Sequence, residues 1–276
     1  MIKAISIPCG LGDLIFISAQ LNSIKNTING MDIAFNSGVL NTIDRGPEYI
    51  EFITKIFHKL FDKKFKLVPF ADQPMRSCEN LCNIDMILPV HPRLRNVFCS
   101  PVVNEYGPYI CLTTKIRQMD RSHFNKIKEQ YFKILNKYSE KFKFMILGER
   151  SVEYNSETAW YTDQYIYSIY DELIKELPKD RIIDKTVPAL GVTVPNIDKL
   201  FEDFSLIGAG YYSVGMSIGG PFCSAVAIGN AVWYRVDDDF VADYLYVDSV
   251  SYPDLYVTKN FPKFLAKLDE CLGRPI

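Results

Sequence analysis

Short apolar runs alternate with longer stretches of helical periodicity along most of this chain, and this alternation limits the folds that it can adopt. In the first 90 residues, four apolar runs are typical of buried strands: 2–8, 32–35, 66–70 and 85–89. Between them, residues 13–26 and 47–61 carry apolar side chains at steps of three and four, which predicts two helices. Strands that alternate with helices in this way predict a parallel sheet with helices packed on it.

The same alternation restarts after a proline-containing segment at about 91–107, where we place the linker between two domains. The second half has four further runs typical of strands: 109–112, 142–147, 213–216 and 231–236. Its helical patterns lie at 124–138, 166–177, 197–204, 221–228 and 261–272. We therefore predict an α/β fold with two Rossmann-like domains that face a central cleft, one at 1–100 and the other at 101–276.

The composition excludes several classes of protein. With 276 residues, of which 48% are hydrophobic, the chain can bury the cores of two domains of ordinary size. Its 31 basic and 33 acidic residues give a net charge of −2, so it lacks the basic excess of proteins that bind nucleic acid. No run of 18 apolar residues is present, and the N-terminus lacks the pattern of a secretory signal. We expect no nucleic-acid partner and no integral membrane segment.

The cysteines indicate a reducing compartment. Seven are present, an odd number, and most lie in apolar runs, so we expect buried thiols in a cytoplasmic protein. Cys78 and Cys82 are four residues apart, but no second Cys or His pair follows nearby to complete a structural zinc site. We expect no bound metal.

A turn with two glycines connects the first predicted strand to the first predicted helix. Gly10 and Gly12 precede Asp13, where the helical periodicity begins. Such a turn lets the backbone approach a ligand closely, and the helix N-terminus offers free N–H groups and the positive end of its dipole. Asp13 fits two roles there, a general base beside a ligand or an N-cap of the helix.

A second glycine turn lies between the predicted strand 213–216 and the helix 221–228. Ser217, Gly219, Gly220 and Pro221 form it, and successive amides in such a turn can bind a phosphate or diphosphate. The alternative is a plain strand-to-helix turn. The sequence Gly-Lys-Ser/Thr is missing, so this is not a Walker loop.

Charged residues follow two other predicted strands. Lys115 and Arg117 come after the strand at 109–112, where they could neutralise a diphosphate or lie in a solvated basic loop. Gly148 and Glu149 come after the strand at 142–147, where the carboxylate could accept hydrogen bonds from ribose or sugar hydroxyls or form a surface ion pair. Ligands of open parallel sheets bind at the carboxyl ends of strands, which is where both groups are expected.

Together these motifs resemble the heptosyltransferases, the ADP-heptose:lipopolysaccharide transferases, and related glycosyltransferases of the GT-B fold. Gly12 and Asp13 are similar to the small-Gly-Asp turn that supplies the catalytic Asp of that family. Residues 215–221 are similar to its Asp-Ser/Thr-Gly motif, with Ser217 where the family usually has Asp and Phe222 where it often has His. Residues 147–149 resemble its Leu-Gly-Gly turn, and 183–186 resemble a stretch that precedes one of its helices.

The resemblance implies metal-independent, inverting transfer of a sugar from a nucleotide-diphosphate donor to a hydroxyl of a glycan or other acceptor. Asp13 would be the catalytic base, and no cofactor would be needed besides the nucleotide-sugar substrate. The N-terminal domain would take the acceptor and the C-terminal domain the donor. The donor-binding residues would be Gly10, Gly12, Lys115, Arg117, Gly148, Glu149, Ser217, Gly219, Gly220 and Pro221.

Two other functions fit the same motifs. One is another enzyme of similar shape that acts on nucleotide sugars, such as an epimerase or a hydrolase. The other is a binding protein that holds a nucleotide or glycan without catalysis, which the serine at 217 and the phenylalanine at 222 favour. A dinucleotide-dependent oxidoreductase fits less well, because Ile15 stands where its glycine motif needs a third glycine.

Overall fold

The computed structural model describes residues 4–7, 32–36, 55, 66–70, 105–117, 119–151, 166–188, 197–216, 225, 228, 231–234 and 255–276. These residues form an α/β fold whose sheets are mostly parallel. The strands are β1 (Ala4–Ile7), β2 (Asp32–Asn36), β3 (Lys66–Phe70), β4 (Tyr109–Thr113), β5 (Lys115–Arg117), β6 (Lys143–Leu147), β7 (Ile166–Ser168), β8 (Ile182–Asp184), β9 (Tyr212–Met216), β10 (Ala231–Tyr234) and β11 (Leu255–Thr258). The helices are α1 (Arg121–Lys137), α2 (Tyr170–Glu176), α3 (Ile197–Ala209) and α4 (Phe261–Gly273).

The three described strands of the N-terminal part form one parallel sheet in the order β1-β2-β3. These strands confirm the sequence predictions at 2–8, 32–35 and 66–70. Lys55 is helical, as predicted for 47–61. The predicted helix at 13–26 and strand at 85–89 lie outside the described residues.

The described strands of the C-terminal part form a six-stranded, all-parallel sheet in the order β11-β10-β9-β4-β6-β8. If these strands are numbered one to six along the chain and read from the β8 edge, their order in the sheet is 3-2-1-4-5-6. The order reverses between β4 and β9, because the chain moves from β4 towards one edge of the sheet and later from β9 towards the other. This is the arrangement of a doubly wound sheet.

One face of the six-stranded sheet is covered by α1, α2 and α4. Ile110 and Ile146 of the sheet belong to one buried cluster with Phe124 of α1, Leu173 of α2 and Phe264 of α4. Burial of each such side chain contributes about 1.5–3 kcal/mol. The cluster explains why the apolar periodicity predicted helices at 124–138 and 261–272, since one stripe of each helix faces the sheet.

The other face of this sheet contacts α3. Side chains alternate along a strand, so Tyr109 and Cys111 point away from Ile110. The hydroxyl of Tyr109 donates a hydrogen bond of 2.8 Å to the carbonyl oxygen of Leu206 in α3, and the Cys111 thiol lies 3.5 Å from the same oxygen. The six-stranded sheet is therefore covered on both faces, as a buried parallel sheet requires.

The sequence prediction of one helix over 166–177 was wrong at its start. Residues Ile166–Ser168 form β7, which pairs antiparallel with β5, and α2 begins only at Tyr170. Only three residues, Ile, Tyr and Ser, form this strand, which is too short to show a strand periodicity of its own. The pairing partner is about 50 residues away, and a local pattern does not reveal it.

Other differences concern short elements. The sequence did not predict β5, β8 or β11, which are three or four residues long. The helix predicted at 197–204 extends to Ala209. Among the described residues, no helix has both the length and the hydrophobicity needed to cross a bilayer.

Candidate functional site

The candidate site lies at the carboxyl edge of the six-stranded sheet, beside the point between β4 and β9 where the strand order reverses. At such a reversal the connections leave neighbouring strands in opposite directions, and a crevice opens beyond the strand ends. Here β4 ends at Thr113, β9 at Met216 and β6 at Leu147. The residues that follow β4 and β6 include four that the sequence nominated for ligand binding.

Lys115 and Glu149 form an ion pair at this edge, which we call the edge pair. The Lys115 Nζ atom lies 3.9 Å from Oε2 of Glu149, and their side chains are 30% and 27% exposed. Thr113 and Leu147 are partners across β4 and β6. Lys115 and Glu149 each lie two residues beyond one of these partners. The structure therefore joins two groups that the sequence could only nominate separately. An ion pair with this much exposure contributes little to stability, roughly 0–1 kcal/mol.

Gly148 has a backbone conformation that other residues rarely adopt. Its φ is +105°, and a Cβ added there would lie 2.7 Å from Oγ1 of Thr114. The Thr114 amide donates a 3.1 Å hydrogen bond to the carbonyl oxygen of Leu147, so the two chain segments run close together. Glycine is required at 148 both by the dihedral angle and by the lack of space.

Two threonine hydroxyls at the end of β4 are buried without hydrogen bonds among the described residues. They belong to Thr113, which is 7% exposed, and Thr114, which is fully buried. A buried polar atom without a partner costs about 1–3 kcal/mol. Such groups are uncommon in native structures and call for an explanation.

Glu149 is held in place by the backbone around it. Its carbonyl oxygen accepts a 3.1 Å hydrogen bond from the Ser168 hydroxyl, and the amide of Val187 donates 2.9 Å to the carbonyl of Gly148. Glu149 and Val187 also form an isolated parallel bridge, which continues the pairing of β6 with β8. The carboxylate therefore projects from a fixed piece of backbone.

A polar cluster next to Glu149 was missed by the sequence reasoning. The Arg150 guanidinium donates to the Asp184 carboxylate at 3.2 Å and to the Thr186 hydroxyl at 2.9 Å, and the Tyr170 hydroxyl donates to Asp184 at 2.8 Å. Burial would raise the pKa of Asp184, but hydrogen bonds from Thr186 and Tyr170 and the charge of Arg150 outweigh it and lower that pKa. The charges of Arg150 and Asp184 satisfy each other, so this cluster fixes the loop beside the edge pair.

The first turn of α1 also reaches the reversal. Nε2 of His123 lies 3.4 Å from the hydroxyl of Tyr234, the last residue of β10. Since β9 lies between β4 and β10, this contact links the helix that follows β4 to the strand beyond β9. No sequence motif suggested it, because the two residues are 111 positions apart.

Of the remaining candidate residues, Arg117 is the one that the structure describes. Arg117 is the last residue of β5, where its backbone pairs with Ile166. The other candidates lie outside the described residues: Gly10, Gly12, Asp13, Ser217, Gly219, Gly220 and Pro221. Within the described ranges, no group of three or more His, Cys, Asp or Glu side chains could hold a metal ion.

Comparisons with known proteins add no relative: no family model, no curated protein and no solved structure matches the chain.

Proposed function

We propose that this chain is a glycosyltransferase that moves a sugar, with inversion and without a metal, from a nucleotide-diphosphate donor to an acceptor hydroxyl. One observation carries the proposal. Lys115, Gly148 and Glu149 meet at the carboxyl edge beside the reversal of a doubly wound sheet, the usual ligand position in such sheets.

The edge pair supplies the two kinds of group that a nucleotide diphosphate needs. The Lys115 ammonium would offset the negative charge that grows on the leaving diphosphate, with Arg117 as a second cation. The Glu149 carboxylate would accept hydrogen bonds from ribose or sugar hydroxyls. Because each charge now offsets the other, the ligand would replace one modest ion pair by two sets of charged hydrogen bonds.

The glycine turn of Ser217, Gly219, Gly220 and Pro221 would hold the diphosphate oxygens through its amides. It follows β9 directly in the sequence, and β9 is the neighbour of β4 in the sheet. This turn and Lys115 would then bind the diphosphate of one donor, and Glu149 would bind its hydroxyls.

Asp13 would act as the general base. The acceptor hydroxyl would give its proton to the carboxylate, its oxygen would bond to the anomeric carbon, and the bond from that carbon to the diphosphate oxygen would break on the opposite face. Attack opposite the leaving group inverts the configuration. The turn of Gly10, Gly12 and Asp13 would belong to an acceptor domain at 1–100, and donor binding to a domain at 101–276.

Nucleotide binding is the first test. Calorimetry with ADP, UDP, GDP and CDP should find at least one ligand, and Lys115→Met should weaken it tenfold or more. Lys126→Met is the matched control, because this exposed lysine lies on α1 and is not part of the edge pair. Equal affinities in both variants would place the nucleotide elsewhere.

Turnover is the second test. The wild-type protein should release the nucleoside diphosphate from the matching sugar donor with EDTA present. Asp13→Asn should lower that rate by roughly 10²–10⁴-fold, with donor affinity little changed, because general base catalysis typically contributes that factor. If Asp13→Ala instead lowers only the melting temperature, Asp13 is a helix cap.

A binding protein without catalysis is the second candidate. Ser217 and Phe222 favour it, since they replace the Asp and His of the family that the sequence resembles. It requires tight nucleoside-diphosphate binding with no donor turnover under any acceptor. An epimerase would be recognised by uptake of solvent deuterium into the sugar without an acceptor.

We also place the protein in the cytoplasm. Both cysteines in the described part of the chain, Cys111 and Cys271, are buried free thiols. Burial raises the pKa of each thiol, which keeps it protonated and unreactive.

A further inference from the structure

Thr114 and Gly148 directly precede the two residues of the edge pair. Two energetically unfavourable features occur where these two residues lie close together. Gly148 has a φ of +105°, and the fully buried Thr114 hydroxyl has no hydrogen-bond partner among the described residues. Unusual backbone conformations persist where the surrounding structure enforces them, often beside functional groups. This contact therefore has a reason beyond general packing.

We propose that Thr114 is a positioning residue that acts through Gly148 on the Lys115–Glu149 edge pair. A Cβ added at position 148 would lie only 2.7 Å from Oγ1 of Thr114. The Thr114 side chain therefore fills the space that a side chain at 148 would need. Residue 148 must then be glycine, which is also the residue that a φ of +105° favours. The close contact of residues 114 and 148 would hold the start of this turn, and the Glu149 carboxylate that follows lies 3.9 Å from Nζ of Lys115.

In this role Thr114 acts by its shape and not by its hydroxyl. The hydroxyl makes no hydrogen bond in the described structure, and its oxygen is the atom that a Cβ at 148 would meet first, so it acts there by the space that it fills. Threonine is branched at Cβ and has few side-chain rotamers, so it keeps its position when buried. Valine should replace it without loss of position, and alanine should not.

The importance of this contact for ligand binding rests on the proposed function, but the contact itself can be tested without a ligand. A carbodiimide joins an amine to a carboxylate only where the two touch, so the cross-linked Lys115–Glu149 peptide, measured by mass spectrometry, reports the edge pair. Lys267 and Glu270 are the internal control, because they form a 2.8 Å pair within α4.

Four variants separate shape from hydrogen bonding. Thr114→Val should keep the wild-type yield of the Lys115–Glu149 cross-link, and Gly148→Ala should lower it severalfold. Adding Thr114→Ala to Gly148→Ala should restore part of the yield, because it removes the clash but not the strain of an alanine at a φ of +105°, whereas adding Thr114→Val should restore none. The Lys267–Glu270 yield should stay constant in all four.

A low yield for Thr114→Val alone would overturn the proposal, because the hydroxyl would then matter. Failure of the Thr114→Ala and Gly148→Ala pair to recover would also overturn it, because the dihedral angle alone would set the geometry. If circular dichroism shows that Gly148→Ala is unfolded, the single variants at 114 decide, with Thr114→Ala made as a fifth variant: it should lower the yield and Thr114→Val should not.

The same variants then test the link to the ligand by calorimetry with the nucleoside diphosphate that the wild type binds best. Affinity should follow the cross-link yield across the series. If the yields change as expected while affinity stays constant, Thr114 positions the edge pair but the pair does not bind the nucleotide. In that case the proposed donor site fails and the positioning role stands.

Discussion

Trp233 lies directly over Gly215 in the neighbouring strand. The two residues are register partners across β9 and β10, and a Cβ added at Gly215 would lie 2.3 Å from Cη2 of the indole. Both are buried. Gly215 belongs to the segment that resembles a donor-binding motif, yet its own role is to make room for the Trp233 ring.

Gly215→Ala should therefore destabilise the fold. Overpacking a dense core costs about 1–3 kcal/mol, and the indole is too large and too buried to move aside easily. Urea unfolding should show a lower midpoint with an unchanged slope. Combining it with Trp233→Leu should cost less than the sum of the two single changes, and simple additivity would mean that the two residues do not interact.

Two buried serines should respond to alanine in opposite ways. The Ser213 hydroxyl has no hydrogen-bond partner among the described residues, whereas the Ser205 hydroxyl donates 2.8 Å to the carbonyl of Phe201. Ser213→Ala should leave the free energy of unfolding unchanged or raise it by up to about 1 kcal/mol, because it removes an unsatisfied polar group. Ser205→Ala should lower it by about 1 kcal/mol. Equal losses in both would show that Ser213 has a partner.

Asp203 should make stability depend on pH in an unusual direction. Its burial raises the pKa of the carboxyl, and this outweighs Lys199, whose hydrogen bond of 2.5 Å and charge lower it. A raised folded pKa favours folding at pH below the unfolded pKa, and the contribution is lost as pH rises through the folded pKa. Asp203→Asn should thus be more stable than the wild type at pH 7, and the gain should vanish in acid. A stability difference between Asp203→Asn and the wild type that does not change with pH would contradict this.

Asp120 should act in the opposite sense. It caps α1 by accepting a 2.7 Å hydrogen bond from the His123 amide, and hydrogen bonds from the Ser122 hydroxyl and this amide lower the pKa of its carboxyl. Its contribution is present above the unfolded pKa and is lost as pH falls through the folded pKa. Asp120→Asn retains an accepting oxygen, so the stability difference between it and the wild type should shrink as the solution is acidified. A difference that stays constant with pH would mean that the carboxylate charge is not involved.

The sequence alone predicted the elements that have strong local patterns. The strands β1, β2, β3, β4, β6, β9 and β10 and the helices α1 and α4 were all expected, because alternation and helical spacing are properties of neighbouring residues. The α/β class followed from their order. The division into two domains and the roles of Asp13 and the turn at 217–221 remain predictions.

Only the tertiary structure decided how these elements are arranged. The reversal between β4 and β9 depends on hydrogen bonds between strands about 100 residues apart, and β7 exists because β5 offers it a partner. The contact of Lys115 with Glu149 joins the start of β5 to the turn that follows β6, two segments that are separate in the sequence. Local patterns record which face of an element is apolar but not which element covers that face, so the choice of neighbours, and with it the candidate site, is set by packing across the whole sheet.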